Sequence, residues 1–342
     1  MIKKVLTNFL QIVLLVVALC CLVWHEFILY GLSQAKGQLT IIYKAQPIDL
    51  VLKENTYPDS LAQKLILIQE IKKYAIDSLG ITANANYSKV FNQQKQSVLL
   101  TVSACEPYSL KPKQWYYPIL GNMPYKGFFD KEKAKKEINE LKWQGYDVDV
   151  YSPSGWSTLG WFNDPVLSNM LYRSEGQLAN LIIHELTHGT VFIKNDVEFN
   201  ENLANFIGDK GAELFLAFKY GEQSKEYRDY EYGKQDEKKY TDYILTCVDS
   251  LDSLYQSISK HSENIKKEKK KQFITEIVRG VNQLSLYSKQ RYFKFSLDAF
   301  HSKNAFFMAF QRYDSQYDFF EKEFKSKYHS NLKLYLHSFK DK

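Results

Sequence analysis

Histidine and cysteine are both scarce here: the 342 residues include seven histidines and four cysteines. Cys20 and Cys21 stand inside an apolar run, so only Cys105 and Cys247 remain for the body of the protein. Those two allow one disulfide outside the cytoplasm or, equally, two lone buried thiols. No Gly/Ser/Pro-rich linker, internal repeat or low-complexity tract divides the chain, which points to one catalytic-sized domain. Excess charge of one sign is also missing. Forty-five basic residues against 39 acidic ones leave a net charge of only +6, which argues against a nucleic-acid protein. The sharpest local excess is Lys266-Lys267-Glu268-Lys269-Lys270-Lys271. It reads as the solvated face of a long amphipathic helix, with a membrane-surface contact as the alternative.

Against that scarcity, two histidines stand four positions apart in Leu181-Ile182-Ile183-His184-Glu185-Leu186-Thr187-His188-Gly189. With so few histidines, His-Glu-x-x-His would arise by chance in roughly one such sequence in a hundred. One helical turn separates the two imidazoles, so both project from one face and can bind a single Zn²⁺. Glu185 lies between them in sequence and does not ligate; it is placed to act as general base on a water at the metal. Ser174 and Gln177 form a capping-box pattern ahead of Leu178, Leu181 and Ile182, an apolar stripe that makes the segment a helix. The alternative is an amphipathic helix carrying two satisfied histidines and an exposed glutamate.

A catalytic zinc needs a third protein ligand and an open position. Downstream, Lys194 to Glu198 reads as a turn and a second helix starts near Asn200. Thirteen positions separate His188 from Glu201, enough to end one helix, reverse and begin another. Glu201 then falls in the first turn, facing back, with Asn205 on the same face to hold a ligand histidine. Asp196 and Glu198 are rival ligands whose aim from the turn is less fixed. No cysteine or further histidine lies near enough to close the site with a fourth protein ligand, as a structural zinc would require.

His184-Glu185-x-x-His188 with Asn200-Glu201-x-x-Ala204 resembles the gluzincin arrangement of two histidines and a glutamate. More narrowly, the chain is similar to a family of bacterial zinc aminopeptidases with an N-terminal membrane anchor or lipid attachment. The likeness runs from about Gly37 to the C-terminus. Its carriers are Gly37-Gln38-Leu39, Gln46-Pro47-Ile48, Pro124-Tyr125-Lys126-Gly127-Phe128-Phe129 and Gly145-Tyr146-Asp147-Val148. To these add Ser157-Thr158-Leu159-Gly160-Trp161-Phe162-Asn163-Asp164-Pro165, the zinc segment and Asn304-Ala305-Phe306. The resemblance implies a Zn²⁺ cofactor, a peptide or protein substrate, and binding of that substrate as an added strand on a sheet edge beside the metal helix. Trp161 and Phe162 would then line a pocket or, more blandly, fill the core.

Phe9 to Trp24 is nearly continuous apolar sequence, and Val5 to Trp24, its first turns weakened by Thr7, Asn8 and Gln11, is long enough to cross a bilayer of about 30 Å. Lys3 and Lys4 precede it and Glu26 follows, so the positive-inside rule keeps the N-terminus in the cytoplasm. The expectation is a bacterial inner-membrane protein, single-pass, with its catalytic domain outside the cytoplasm. Residues 1–36 would be the anchor and juxtamembrane segment, and residues 37–342 the catalytic domain. No small-x-small cleavage pattern follows the run closely. Leu19 before Cys20 departs from a lipid-attachment site.

Apolar periodicity marks a helix over residues 59–79, and Lys131 to Trp143 is a charged helix opened by Asp130. Residues 98–102, 146–151 and 158–162 are candidate strands. From Asn200 onward the chain is mostly helical. The fold class expected is α+β: a zincin-like metallopeptidase domain, mostly helical with a small sheet, behind one N-terminal transmembrane helix. Peptide hydrolysis also needs an oxyanion stabiliser, for which Tyr125 and Tyr313 are the candidates among 25 tyrosines. An aminopeptidase needs a carboxylate for the substrate ammonium, with Glu175, Glu198 and Asp164 available. The alternatives to a zinc aminopeptidase are a zinc endopeptidase and a membrane-anchored, non-catalytic zinc-binding or assembly protein.

Overall fold

A computed structural model describes residues 6–340 except 12–14, 16–21, 23, 118–120, 153–162, 195, 290–291, 293–303 and 315. Helix α1 (His25–Lys44) leads into β1 (Gln46–Pro47), α2 (Ile48–Lys53) and α3 (Asp59–Leu79). The segment of strands follows: β2 (Lys89–Phe91), β3 (Leu100–Cys105), β4 (Trp115–Tyr117), β5 (Gly121–Met123) and β6 (Lys126–Phe128). Then come α4 (Lys131–Trp143), β7 (Asp147–Tyr151), β8 (Val166–Leu167), a 3₁₀ turn (Ser168–Tyr172) and the two metal-motif helices, α5 (Glu175–His188) and α6 (Val197–Tyr220). The rest is helical: α7 (Lys225–Ser257), α8 (Glu263–Gln283), α9 (Asn304–Asp314), α10 (Tyr317–Tyr328) and α11 (Leu332–His337).

Two of these helices start and stop where local chemistry dictates. Gly80, in the left-handed region at φ 79°, ends α3. The Asp130 carboxylate accepts the N–H groups of Glu132 and Lys133 at the start of α4. Among the described residues the sheets are small and separate, in the orders β1-β2-β8, β6-β3-β7 and β4-β5. Among the described residues only the β2–β8 pairing is parallel. The main core gathers α3, α5, α6 and the C-terminal helices around Leu65, Ile68, Ile182, Phe206 and Tyr335. A second cluster holds α7, α8 and α9 together, and a third packs β3, β6 and β7 on α4.

Two expectations are corrected here. The expected α+β domain, mostly helical with one small sheet behind a transmembrane helix, is mostly helical, but it has three small, separate sheets and no membrane-crossing helix among the described residues. Among the described residues no helix is long and apolar enough to cross a membrane, which overturns the single-pass inner-membrane placement. Much of the apolar run at residues 5–24 lies outside the described residues. The long helix that follows is of another kind: α1 carries Glu26, Gln34, Lys36 and Lys44 and uses its length to dock on a sheet. The Tyr30 hydroxyl and the Gln34 amide both donate to the Gly127 carbonyl of β6, at 2.9 and 3.0 Å. Helix α1 thus runs unbroken through residues 36 and 37, and Gly37 faces the Phe129 ring so closely that no side chain fits between. The candidate strand at residues 158–162, with Trp161 and Phe162, lies outside the described residues.

The lysine run of α8 is not wholly solvated. Lys270 is 5% exposed and pairs with Asp147, itself buried at the start of β7, while donating to the Pro107 carbonyl at 2.7 Å. Asn304 joins the same knot, its side-chain amide donating to the Pro107 carbonyl at 2.9 Å and its Oδ1 accepting the Tyr255 hydroxyl at 2.7 Å. Cys105 and Cys247 are free thiols, and burial pushes the Cys105 thiol far above its ordinary value.

Candidate metal centre

Helix α5 opens with the capping box: Ser174 Oγ accepts the Gln177 N–H at 3.3 Å, and Gln177 Oε1 accepts the Ser174 N–H at 3.4 Å. It closes at Gly189. There Thr190 Oγ1 donates to the Leu186 carbonyl at 3.0 Å and accepts the Thr82 N–H at 3.0 Å, tying the helix end to the loop after α3. Helix α6 begins at Val197, earlier than the spacing suggests, because Asp196 caps it by accepting the Phe199 N–H at 3.0 Å. Asp196 thus caps the helix and is not part of the His184, His188 and Glu201 cluster found among the described residues. Glu198, in the first turn, accepts from Gln316 Nε2 at 3.3 Å. Glu201 lies one turn further along, on the face turned to α5.

That geometry brings His184, His188 and Glu201 together, with one donor atom of each inside a 4.8 Å cluster. The two Nε2 atoms are 3.2 Å apart, and Glu201 Oε2 lies 3.6 Å from that of His184 and 3.7 Å from that of His188. Tetrahedral bonds of 2.0–2.1 Å hold donors about 3.3–3.4 Å apart, so three such atoms fit around one zinc-sized ion. His188 and Glu185 are buried, at 7% and 9% exposure. Burial raises the Glu185 carboxyl above its ordinary range, against the pull of the two imidazoles. Burial would raise Glu201 as well, but the two imidazoles close beside it outweigh burial and hold that carboxyl far below its usual value. His184 is pushed down by burial and up by the Glu201 hydrogen bond and the Glu185 and Glu201 charges; the upward effects win. Asn205 also hydrogen-bonds His184, from the helix face expected to support it.

The other expected residues sit elsewhere or cannot be followed to their tips. Tyr125 lies in the loop between β5 and β6 beside Tyr117, and β6 packs on β3 and α4. Tyr313 is in the last turn of α9, which packs on α6 and α7, but its side chain is outside the described residues. Glu175 is tied to Lys64 at 2.6 Å at the far end of α5. Asp164 is buried, with its carbonyl accepting the Tyr87 N–H at 2.6 Å and its own N–H donating to Asn86 Oδ1 at 3.0 Å.

Tyr87 is the residue that sequence reasoning missed. It is 1% exposed and sits at φ 61°, a left-handed backbone that a bulky residue rarely adopts. Besides the Asp164 bond, its carbonyl accepts Gln69 Nε2 at 2.7 Å. Burial, with the nearby charges of Glu185 and Asp164, raises its phenol far above the ordinary value, so it stays a neutral donor near the general-base candidate. Nothing in the periodicity around Asn86-Tyr87-Ser88 signals this, because the constraint is tertiary.

With the site laid out, one comparison decides the family. The chain belongs to the family described as "Putative aminopeptidase". The match covers residues 29–340, from the first turns of α1 through the metal-motif helices to the C-terminal helices. Membership makes peptide hydrolysis the activity to explain, with a peptide as substrate. No curated protein and no solved structure matches the chain.

Proposed function

We propose that this chain is a zinc-dependent aminopeptidase with His184, His188 and Glu201 as metal ligands and Glu185 as general base. The observation that carries the reading is the convergence of two imidazoles and a carboxylate on one point between α5 and α6. The donor set of two nitrogens and one oxygen is the composition of open, catalytic zinc sites rather than closed structural ones. When bound, the ion would polarise the scissile carbonyl and make a water acidic enough to attack near neutral pH. Glu185 takes a proton from the attacking water and returns it to the leaving amine. A carboxyl raised by burial is suited to this shuttle, since a higher pKa makes it a stronger base toward the water while the protonated form can still return its proton to the more basic amine.

Glu201 does two things in this scheme. It brings negative charge to the ligand set, and its placement on α6 sets one donor oxygen 3.6–3.7 Å from the Nε2 atom of each imidazole. Tyr87, held neutral, keeps the Glu185 carboxylate in a polar but water-poor surrounding. Burial of Glu185 otherwise speaks for chemistry, because a carboxylate that only decorated a helix would face solvent.

The test is metal analysis and a peptide-library digest of the purified chain. One zinc per chain, lost in His184→Ala, and cleavage from free N-termini but not from N-acetylated peptides is the expected result. Internal cleavage that is indifferent to N-acetylation would make the enzyme an endopeptidase. Full zinc retention in His184→Ala would overturn the ligand assignment.

A further inference from the structure

The two helices that carry the ligands approach each other more closely than side chains normally allow, and the contact lies next to the metal cluster. Gly208 is about two helical turns after Glu201, on the same face of α6. A methyl group there would lie 2.9 Å from the Asn180 carbonyl oxygen, 3.1 Å from His184 Cβ and 3.3 Å from the His184 backbone nitrogen. Two of those three atoms belong to the backbone of α5, so they cannot swing aside. The third belongs to a proposed ligand.

The next residue fastens this contact. Asp209 Oδ1 accepts the Asn180 side-chain amide of α5 at 3.2 Å and the Tyr230 hydroxyl of α7 at 2.7 Å. Its Oδ2 accepts the Tyr317 hydroxyl of α10 at 2.8 Å and pairs with Lys234 of α7 at 3.1 Å. One carboxylate therefore gathers four helices at the level of Asn180, one turn before His184. Hydrogen bonds to an ionised carboxylate are among the stronger ones, and this one is satisfied on both oxygens.

We infer that Gly208 and Asp209 are positioning residues for the metal site: the bare backbone at 208 sets how near α6 lies to α5, and the Asp209 brace holds that distance. Neither touches the metal or substrate. Their effect is on the separation between Glu201, carried by α6, and His184 and His188, carried by α5. A shift of a few tenths of an ångström there changes all the donor spacings that involve Glu201. This inference rests on the zinc reading of the same cluster.

Gly211 supplies the comparison. A methyl at Gly211 would lie 2.9 Å from both Ile183 Cδ1 and Ile183 Cγ2 and 3.0 Å from Leu79 Cδ1, all side-chain carbons and none of them backbone or part of a proposed ligand. It is the same substitution in the same helix, one turn further from the ligands.

The experiment compares Gly208→Ala, Asp209→Ala and Gly211→Ala in the full chain. Zinc affinity is read by competition with a chelator, and ligand geometry by the visible absorption of the cobalt(II)-substituted protein. Gly208→Ala and Asp209→Ala are expected to weaken zinc about 10-fold or more and to alter the cobalt spectrum. Gly211→Ala is expected to keep both, whatever it does to the melting temperature, and Asp209→Asn, which retains an acceptor oxygen, should recover part of the loss. Parental affinity and spectrum in Gly208→Ala and Asp209→Ala would overturn the inference, as would an equal metal loss in Gly211→Ala. If Gly208→Ala does not fold, Asp209→Ala decides the matter by the same two readouts. A parent protein that binds no zinc would fail differently, removing the zinc reading itself and this inference with it.

Discussion

Asn200 clasps the main chain of Ile193 in both directions: the Ile193 N–H donates to Asn200 Oδ1 at 2.8 Å, and Asn200 Nδ2 donates to the Ile193 carbonyl at 2.7 Å. This two-way bond closes the reversal between α5 and α6, and it sits immediately before the proposed ligand Glu201. The neighbouring side chain works toward the same end. Asn202 Oδ1 accepts the Gln316 N–H at 3.0 Å, and its amide donates to the Glu198 carbonyl at 2.9 Å. Glu201 is thus flanked by two side chains that fix the backbone rather than face solvent.

Asn200→Ala should therefore cost about 2 kcal/mol, at roughly 1 kcal/mol for each lost bond. Urea titration measures this, and zinc affinity should fall in the same variant because the turn that aims Glu201 is loosened. Asn200→Asp keeps an acceptor for the Ile193 N–H but sets a carboxylate oxygen against the Ile193 carbonyl, so it should be no more stable than Asn200→Ala. A variant with parental stability and parental zinc affinity would show that the clasp does not aim the ligand.

Much of this arrangement is legible from local sequence, and the exceptions share one cause. The helix over Asp59–Leu79 and the charged helix over Lys131–Trp143 follow from apolar period and from caps at Gly80 and Asp130. The Ser174–Gln177 box and the His-Glu-x-x-His spacing are local as well, so the helix carrying the two proposed ligand imidazoles could be read directly. The start of α6 was misplaced because Asp196 reads equally well as a turn residue and as a cap. Lys270 could not be told from the other lysines of its run, since what buries it is Asp147, far away in sequence. Tyr87 was invisible for the same reason: its left-handed backbone is imposed by Asp164 and Gln69. The apolar run ending at Trp24 suggested a span, whereas among the described residues no helix is long and apolar enough to cross a membrane.

The Asp147–Lys270 pair carries a second prediction. Lys270→Met leaves the Asp147 carboxylate buried without its partner, which should cost about 3–5 kcal/mol at neutral pH. Burial already raises the Asp147 carboxyl, against the opposing pull of Lys270. Without the lysine the folded-state pKa climbs further above the unfolded value. The penalty is then absent below the unfolded value, grows as pH rises through the interval, and is complete above the folded value. Urea titrations of the variant should show a deficit that is largest near pH 7 and shrinks on acidification. A deficit independent of pH would mean that the loss comes from packing and not from the stranded charge.

Zinc binding itself should depend on pH in a set direction. Ligands must be deprotonated to bind, so protons compete with the metal. His184 in the metal-free protein holds its proton above the ordinary value of 6.5, chiefly because Glu201 and Glu185 outweigh burial. Affinity should accordingly begin to fall as pH drops toward 7 and continue to fall through the histidine range. Glu201 stays ionised throughout and adds no competition there. Chelator competition at several pH values measures this, and an affinity that holds level down to pH 5.5 would argue against histidine ligation.

The sharpest separation of chemistry from architecture lies at Glu185. Replacing it with glutamine keeps nearly the same volume and helix propensity, so the apolar stripe of α5 and the capping box are untouched. The amide cannot take up a proton from water. Glu185→Gln should therefore hold zinc at parental stoichiometry and melt near the parental temperature, since removing a buried carboxylate raised by desolvation relieves the fold rather than straining it. Its peptidase turnover should fall about 10²–10⁴-fold, the range typical for loss of a general base. The comparison is made on the same N-terminally free peptide, with metal content measured on the same preparation. Parental turnover in a zinc-loaded Glu185→Gln protein would remove Glu185 from the mechanism, and loss of zinc in that variant would instead make Glu185 a structural part of the metal centre.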